Sequence, residues 1–549
     1  MNMFRRSPAA NHAAFHISLR AALRERPTAA MKSITSELKQ MISKRVWTPI
    51  LTRQLTQDQR RSVIRSSMFL KEKYLPSGAF DKLKARLVAG GDQQDKSLYS
   101  DISAATAATS SVFMVAAIAA REKRLVTVVD ITSAYLNANM SKEVVVHMKI
   151  DKTLTKMLVD IDESYTKYIN DDGGCIVRLE KALYGCVESA ALWADNIKVT
   201  LTRGGFVQNP HEICCYNKLY GNIQITVIVH VDDLLITCVS QKYIENLTNL
   251  LILSYRDIRA VSGKVVGYLG LSFDFSIDGE VMISAPGFMK DLLSSCRPPG
   301  VAVSPATERL FDVRTDASMT PPSPADCIYF HSTVAKLLYI AKRTRPDILV
   351  AVAFLTTRVT RCDTDDLSKL HRVMSYLSQT IHRGITLRIG TKPIAVRCYV
   401  DAAYAVHHDS KSHTGCFIIV GESGPSFVRS AKQKIVTKSS TEAELVALSD
   451  SANVPIHMSN FLRAQGHAVD PAIMYQDNKS AMALITKGRS TSDLTRHIAL
   501  RYFWVSEKIR DVTFKLEFCP SLVMWANGLT KPTQGQQFKT ERAHISGSL

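Results

Sequence analysis

Two carboxylates side by side, Asp232 and Asp233, stand where two apolar runs meet in the string ITVIVHVDDLLITCV. β-Branched and apolar residues favour extended backbone on both sides, so the acids fall where the chain must turn. Adjacent carboxylates at a hairpin apex repel each other unless a positive group is held there, and oxygen-only ligation suits Mg²⁺ or Mn²⁺. A solvated tight turn would carry the same residues, and this string alone does not separate the two. A second run, RLVTVVDITSAYLN (124–137), is another buried strand that ends in Asp130, with Tyr135 shortly after it. Carboxylates delivered by strand ends can hold two divalent ions, which activate a hydroxyl nucleophile and stabilise a phosphate leaving group.

The elements around these acids can be read coarsely. Residues 36–47 read as a helix, and 66–100 as a β-hairpin turning at Pro76-Ser77-Gly78. Residues 103–122 form an Ala-rich helix that ends just before the Asp130 strand, and 186–204 another helix. Residues 241–300 hold a helix, a hairpin around YLGLSFDF and the helix FMKDLLSSC. The Pro/Ser/Thr-rich stretch 301–327 reads as a linker, 328–385 as mainly helical, and a second α/β pattern begins near 394. At 549 residues the chain is too long for one core. A net charge of +19 suits a polyanionic partner. The 11 cysteines are scattered without a C-x-x-C pair, which fits free thiols in a reducing compartment rather than a disulfide framework or a zinc site. No apolar run is long enough to span a bilayer and no secretory signal is visible, so no membrane partner is expected. The arginine-rich first residues read as a basic segment.

Eleven strings, in order, carry a resemblance: ELKQMISKRVW (37–47), KARLVA (84–89), VDITSAYLN (129–137), LEKALYG (179–185), HVDD (230–233), YLG (268–270), LLYIAKRTRPDI (337–348), YVDAAYA (399–405), SSTEAELVAL (439–448), QDNKSA (476–481) and LTKP (529–532). Together they resemble the reverse transcriptase–ribonuclease H part of a copia-type long-terminal-repeat retrotransposon polyprotein. The resemblance implies an α/β (α+β) architecture, a right-hand polymerase with palm, fingers and thumb followed by a ribonuclease H-like domain. The expected divisions are a basic segment 1–35, fingers and palm 36–240, primer grip and thumb 241–300, a linker 301–327, a helical connection 328–390, the ribonuclease H-like domain 391–535 and a tail 536–549. It further implies metal ligation by Asp130 and Asp232 with Asp233 beside them, and a steric gate against ribose at Tyr135, whose plainer reading is a core aromatic. Arg86, ranked above Lys71 and Lys73, would bind triphosphate because its planar fork matches phosphate oxygens. Gly270 would form the primer-grip turn, where a side chain would obstruct the primer backbone.

In the second constellation Asp401 ends a strand, Glu444 sits in a helix and Asp477 ends another strand, the placement with which a ribonuclease H fold holds two Mg²⁺. Glu442 reads as an exposed helix residue, His497 as structural, and His407-His408…His413 as a surface loop. Four positions depart from the family pattern: Gly90 for Arg, Glu188 for a Gln that contacts nucleotide or template, His230 for Tyr, and Asn527 for a fourth metal-binding Asp. Asn527 keeps a carbonyl oxygen but no charge, so a second metal would bind more weakly there. The implied cofactors are Mg²⁺ or Mn²⁺, two per site. The implied partners are an RNA template, a DNA or tRNA primer, an RNA–DNA hybrid and deoxynucleoside triphosphates, with a homo-oligomer left open. The implied location is cytoplasmic, in a virus-like particle, and also nuclear. The chain would be the carboxyl-terminal portion of a longer polyprotein or a fragmentary gene copy. The competing reading is a catalytically impaired relic or co-opted nucleic-acid-binding protein.

Overall fold

The computed structural model describes residues 17–74, 80–99, 102–296, 300–314, 321–390, 393–487 and 499–548. The expected turn at Pro76-Ser77-Gly78 and His497 lie outside them.

The first sheet carries the long hairpin Ile64–Tyr74 and Phe80–Ala89, continued by His147–Ile150, Cys175–Leu179 and Trp47–Ile50. Phe80–Ala89 is an edge strand, and the helix Pro27–Ser43 covers that edge. Ser33 Oγ donates to the Leu83 carbonyl (2.9 Å) and accepts from the Ala85 amide (2.8 Å), while Glu37 accepts from the Leu87 amide (3.1 Å). Ala30, Ile34, Leu38 and Met41 form its buried stripe at helical spacing. The helix therefore starts earlier than residue 36, favoured by Pro27 in its first turn, and it stops before Trp47, which is already strand. The expected division at residue 35 falls inside it.

The central sheet runs in the order Ile258–Ser262, Leu125–Ile131, Asp233–Cys238, Ile223–His230, Glu212–Tyr220, Val207–Asn209, every pairing antiparallel. Alternate residues leave opposite faces, and both faces are covered, which is why these strands read as nearly continuous apolar runs. Val128, Leu235 and Ile228 meet one core together with the helix Thr109–Arg121. Val129, Leu234, Ile236 and Val227 meet another with the helices Ser189–Arg203 and Gln241–Tyr255.

A third sheet joins Val265–Tyr268, Leu271–Asp274 and Glu280–Ser284 to Ile385–Arg388, so its last strand comes from far along the chain. The described part of the expected linker is not a loose tether. Ala302, Ala306 and Leu310 are buried, Ser304 donates to Gln534 (2.7 Å), and Phe311 packs edge-on against Phe354 and His407. The helix Pro324–Ala341 begins inside it. Proline and serine suggested a linker, but the apolar residues four apart decided the packing.

The fourth sheet orders Pro425–Lys432, His413–Val420, Val396–Ala403, Ala472–Gln476 and Phe514–Phe518, the last two parallel to Val396–Ala403. The helix Ser440–Ala464 packs on it. The expected tail is the helix Gly535–Ser546, with Phe538 and Ile545 buried. The expected histidine surface loop is also corrected. His407 and His413 are buried and joined Nε2 to Nδ1 at 2.9 Å, and His413 Nε2 lies 2.7 Å from the Ser430 hydroxyl.

Two candidate metal-dependent active sites

Strand register builds the first site. Asp233 faces Asp130 across adjacent strands, and His230 pairs with Asp233, which leaves Val231 and Asp232 as a two-residue turn. Val231 takes a left-handed φ of 58°, and its carbonyl accepts from Trp193 Nε1 at 2.6 Å. The Ile131 amide donates to the Asp232 carbonyl (2.9 Å), tying the turn to the Asp130 strand. Burial and then the Asp232 charge raise the Asp130 carboxyl above its ordinary range. Burial, Asp232 and Asp130 together push Asp233 up to about 6. Two acids, Asp130 and Asp233, that resist ionising beside Asp232 form a site electrostatically completed by cations.

Asp130 and Asp232 line a cavity of about 880 Å³, whose other walls carry Lys32, Lys82, Lys84, Arg86 and Tyr184. Residues 82, 84 and 86 alternate on one face of Phe80–Ala89, so the strand presents three cations toward the acids. Lys84 lies near enough to Asp130 to counter the rise in its carboxyl. The Arg86 guanidinium lies over the Tyr184 ring at 5.0 Å. Lys82, Lys84, Lys32 and Tyr184 were not among the expected site residues. The alternation in KLKARLVA was the available signal for the first two.

Lys71 is exposed on the neighbouring strand, opposite Lys84 in register, and is not among the residues lining that cavity. The Lys73 side chain lies outside the described residues. Tyr135 is half-buried with its ring 4.7 Å from that of Tyr184, and it lines a second cavity of about 320 Å³ with Trp193, Cys214 and Tyr216. Glu188 is buried at the head of Ser189–Arg203, where burial raises its carboxyl, and burial together with the Glu188 charge raises the Tyr99 hydroxyl. It does not line the carboxylate cavity. Gly270 occupies the turn between Val265–Tyr268 and Leu271–Asp274 with φ of 74°.

The second site brings Asp401, Glu444 and Asp477 together, with one oxygen of each within 4.8 Å of the others. Asp401 and Glu444 are buried and Asp477 partly so. Burial and the Asp401 charge push the Glu444 carboxyl up, against a hydrogen bond from Gln476 Nε2 at 3.1 Å. The Thr530 hydroxyl donates to Asp401, and Lys531 Nζ lies 3.8 Å from the same oxygen. Ser521 donates to Asp477 at 2.8 Å. Oxygen ligands, close spacing and resisted ionisation fit a divalent cation.

Asn527 sits differently from the expected fourth ligand. Its Nδ2 donates to the Ser521 carbonyl at 2.8 Å, so the side chain supports the loop that holds Asp477. Glu442, expected to be exposed, is buried and accepts from the Lys438 amide at 2.7 Å beside the Ser439 cap, because the helix N-terminus turns it back on the preceding loop. A further buried acid, Glu541 of the final helix, lies close enough to Asp401 for the Asp401 charge to raise its carboxyl, after burial itself. Counting 536–549 as a tail concealed it.

Residues 58–296 match a family model described as reverse transcriptase (RNA-dependent DNA polymerase). The chain is 25% identical over 482 residues to the retrovirus-related Pol polyprotein from transposon RE1 of Arabidopsis thaliana, covering 86% of this chain and 31% of that one. It is 22% identical over 466 residues to the Pol polyprotein from transposon TNT 1-94 of Nicotiana tabacum, covering 83% and 34%. The chain thus spans about a third of the length of these relatives. Its fold is similar to that of the foamy viral protease-reverse transcriptase, with a TM-score of 0.50, 13% identity, and 93% of this chain and 55% of that one covered. The paired-aspartate hairpin and the sheet that carries it lie within residues 58–296, the stretch that matches the reverse transcriptase model, and the chain is similar beyond that stretch to the Pol polyproteins of plant retrotransposons.

Proposed function

We propose that this chain is a DNA polymerase that copies RNA or DNA templates and carries a fused ribonuclease H. The observation that carries this reading is the cavity in which Asp130 and Asp232 face Lys82, Lys84 and Arg86. Acids on one wall and cations on the other match a nucleoside triphosphate with its metals: the acids take the ions, and the cations take phosphate oxygens. Asp130 and Asp232, supported by Asp233, would hold Mg²⁺ or Mn²⁺, which when bound activates the primer hydroxyl and stabilises the pyrophosphate. Tyr135, braced by Tyr184, would exclude a ribose 2′-hydroxyl, and the Leu269–Gly270 turn would support the primer end. Asp401, Glu444 and Asp477 would hold the ions for cutting the RNA strand of a hybrid. The foamy viral structure is a complex with an RNA/DNA hybrid, which supports such a substrate here.

The substrates under this reading are deoxynucleoside triphosphates and a primed RNA or DNA template. The expected setting is intracellular and reducing, in a cytoplasmic virus-like particle, with the nucleus as a second location. The test is Mg²⁺-dependent primer extension and hybrid cleavage by the purified chain. Asp232→Asn should abolish extension and spare template–primer binding, which rests on many phosphate contacts. Glu444→Gln should abolish hybrid cleavage and spare extension. Binding without either activity would replace the enzyme reading with that of a nucleic-acid-binding relic.

A further inference from the structure

The string LLYIAKRTRPDI touches neither carboxylate cluster, yet it connects two distant parts of the molecule. Its second half is a buried anchor. The Arg345 side chain, 1% exposed, pairs with both oxygens of Asp347 (3.0 and 2.8 Å) and donates to the Thr380 carbonyl (2.9 Å) and hydroxyl (2.7 Å). Tyr376 donates to Asp347 at 2.6 Å, and Arg542 of the final helix reaches Tyr376 at 3.4 Å.

Its first half ends on the Leu269–Gly270 turn. The Tyr339 hydroxyl, carried by Pro324–Ala341, donates to the Leu269 carbonyl at 2.8 Å. Phe288 packs on the Tyr339 ring with centroids 5.0 Å apart, and the Arg343 guanidinium lies over that ring at 4.1 Å while donating to the Tyr339 carbonyl (3.2 Å).

The turn requires such a hold. Tyr268 pairs with Leu271, so the loop has two residues, and both take positive φ, 53° at Leu269 and 74° at Gly270. This is the backbone of a type I′ turn, which Asn-Gly adopts easily and a leucine resists. A Cβ added at Gly270 would stand 3.3 Å from the Tyr339 hydroxyl, so the glycine and the tyrosine are fitted to each other.

We propose that Tyr339 is a positioning residue for the primer terminus: its hydroxyl locks the strained Leu269–Gly270 turn to the last turn of a helix anchored just past its C-terminus by Arg345 and Asp347. The proposal rests on the reading of that turn as the primer-side support.

Tyr339→Phe tests it, because the ring contacts stay and only the hydroxyl is lost. Hydrogen–deuterium exchange on the full chain should show the amides of 265–274 exchanging roughly fivefold faster, the factor expected for one neutral hydrogen bond, with 223–238 unchanged. In primer extension the KM for template–primer should rise by a similar factor, while the KM for the incoming nucleotide and the rate of hybrid cleavage hold. Unaltered exchange in 265–274 overturns the lock, whether or not the chain polymerises. Faster exchange with an unmoved template–primer KM overturns the positioning role and leaves the polymerase reading intact. A parent chain that extends no primer overturns the polymerase reading, and the primer role falls with it.

Discussion

Asp347→Asn is the sharpest perturbation of the frame that carries both sites. Asp347 accepts two charge-assisted bonds from Arg345 and one from Tyr376, and the paired side chains are 1% and 6% exposed. Asparagine keeps one acceptor and turns an NH₂ toward a guanidinium that can only donate. The Arg345 charge is then left in the interior with half its partner gone, a change that costs about 3–5 kcal/mol when a buried pair is broken. Against a typical total of about 5–15 kcal/mol the variant should fold but with little margin. Urea unfolding followed by tryptophan fluorescence measures it, and Trp525 reports from beside the final helix, stacked on His544 at 3.5 Å. The double change Arg345→Met with Asp347→Leu removes both charges, and it should be less destabilising than the single change. A cost below 1 kcal/mol for Asp347→Asn, or a double variant worse than the single one, refutes the argument.

Burial holds His407 at about 4 and His413 at about 3, whereas the unfolded imidazoles titrate near 6.5. The unfolded chain therefore takes up protons first: stability is full above pH 7 and falls as pH drops from 6.5 toward 4, by up to about 1.4 kcal/mol per pH unit for each ring. Urea midpoints that stay level between pH 7 and 5 would contradict this. Arg86→Ala and Lys84→Ala should each raise the KM for the incoming nucleotide by roughly tenfold or more, the value of a charge-assisted bond, while Lys71→Ala does little because it does not line the cavity; equal effects from all three would remove the argument from the cavity's lining. Tyr135→Ala should admit ribonucleotides, and an unchanged ratio of kcat/KM for deoxy- and ribonucleotides would leave Tyr135 a packing residue. Asn527→Asp sets a carboxylate oxygen against the Ser521 carbonyl, so it should lower stability by about 1 kcal/mol and leave the Mg²⁺ needed for hybrid cleavage unchanged. A lower Mg²⁺ requirement would show instead that residue 527 turns to the metal.

The acids were legible because their positions follow from strand ends and helix periodicity. Apolar runs placed Asp130 and Asp401 in the last residues of their strands and Asp477 just beyond its own, and two apolar runs fixed the turn at Asp232. What was not legible depended on contacts between distant elements. His407 and His413 stand in a polar stretch that composition assigns to solvent, and Phe311 and Phe354, both far earlier in the chain, help bring them under cover. Glu442 and Asn527 were misplaced for a related reason: local sequence gives the element, but the hydrogen-bond partner that turns the side chain lies on a neighbouring loop. Lys82 and Lys84 could have been found, since they share a face with Arg86, but an isolated lysine on a strand has the same composition as a solvated edge.

The packing between the two sites bears on how they would act together. Every residue from Ser111 to Ala120 is buried, because Thr109–Arg121 lies under the central sheet on one side and against the third and fourth sheets on the other. Polar staples reinforce this contact: Asn209 donates to the Phe461 carbonyl (3.4 Å), Gln224 to the Gln465 carbonyl (3.0 Å), and Gln465 to Cys215 Sγ (3.0 Å). A close-packed core deforms little, so its bistability or rigidity is set by packing and not by linker length. The residues expected to tether the domains are themselves packed, as Ser304 and Leu310 show. The spacing between the Asp130–Asp232 cavity and the Asp401–Glu444–Asp477 cluster is therefore a property of one core. A hybrid held by both sites should be cut at one fixed offset from the growing primer end, and lengthening the chain within 301–327 should not shift that offset unless it also unseats Leu310 and Phe311.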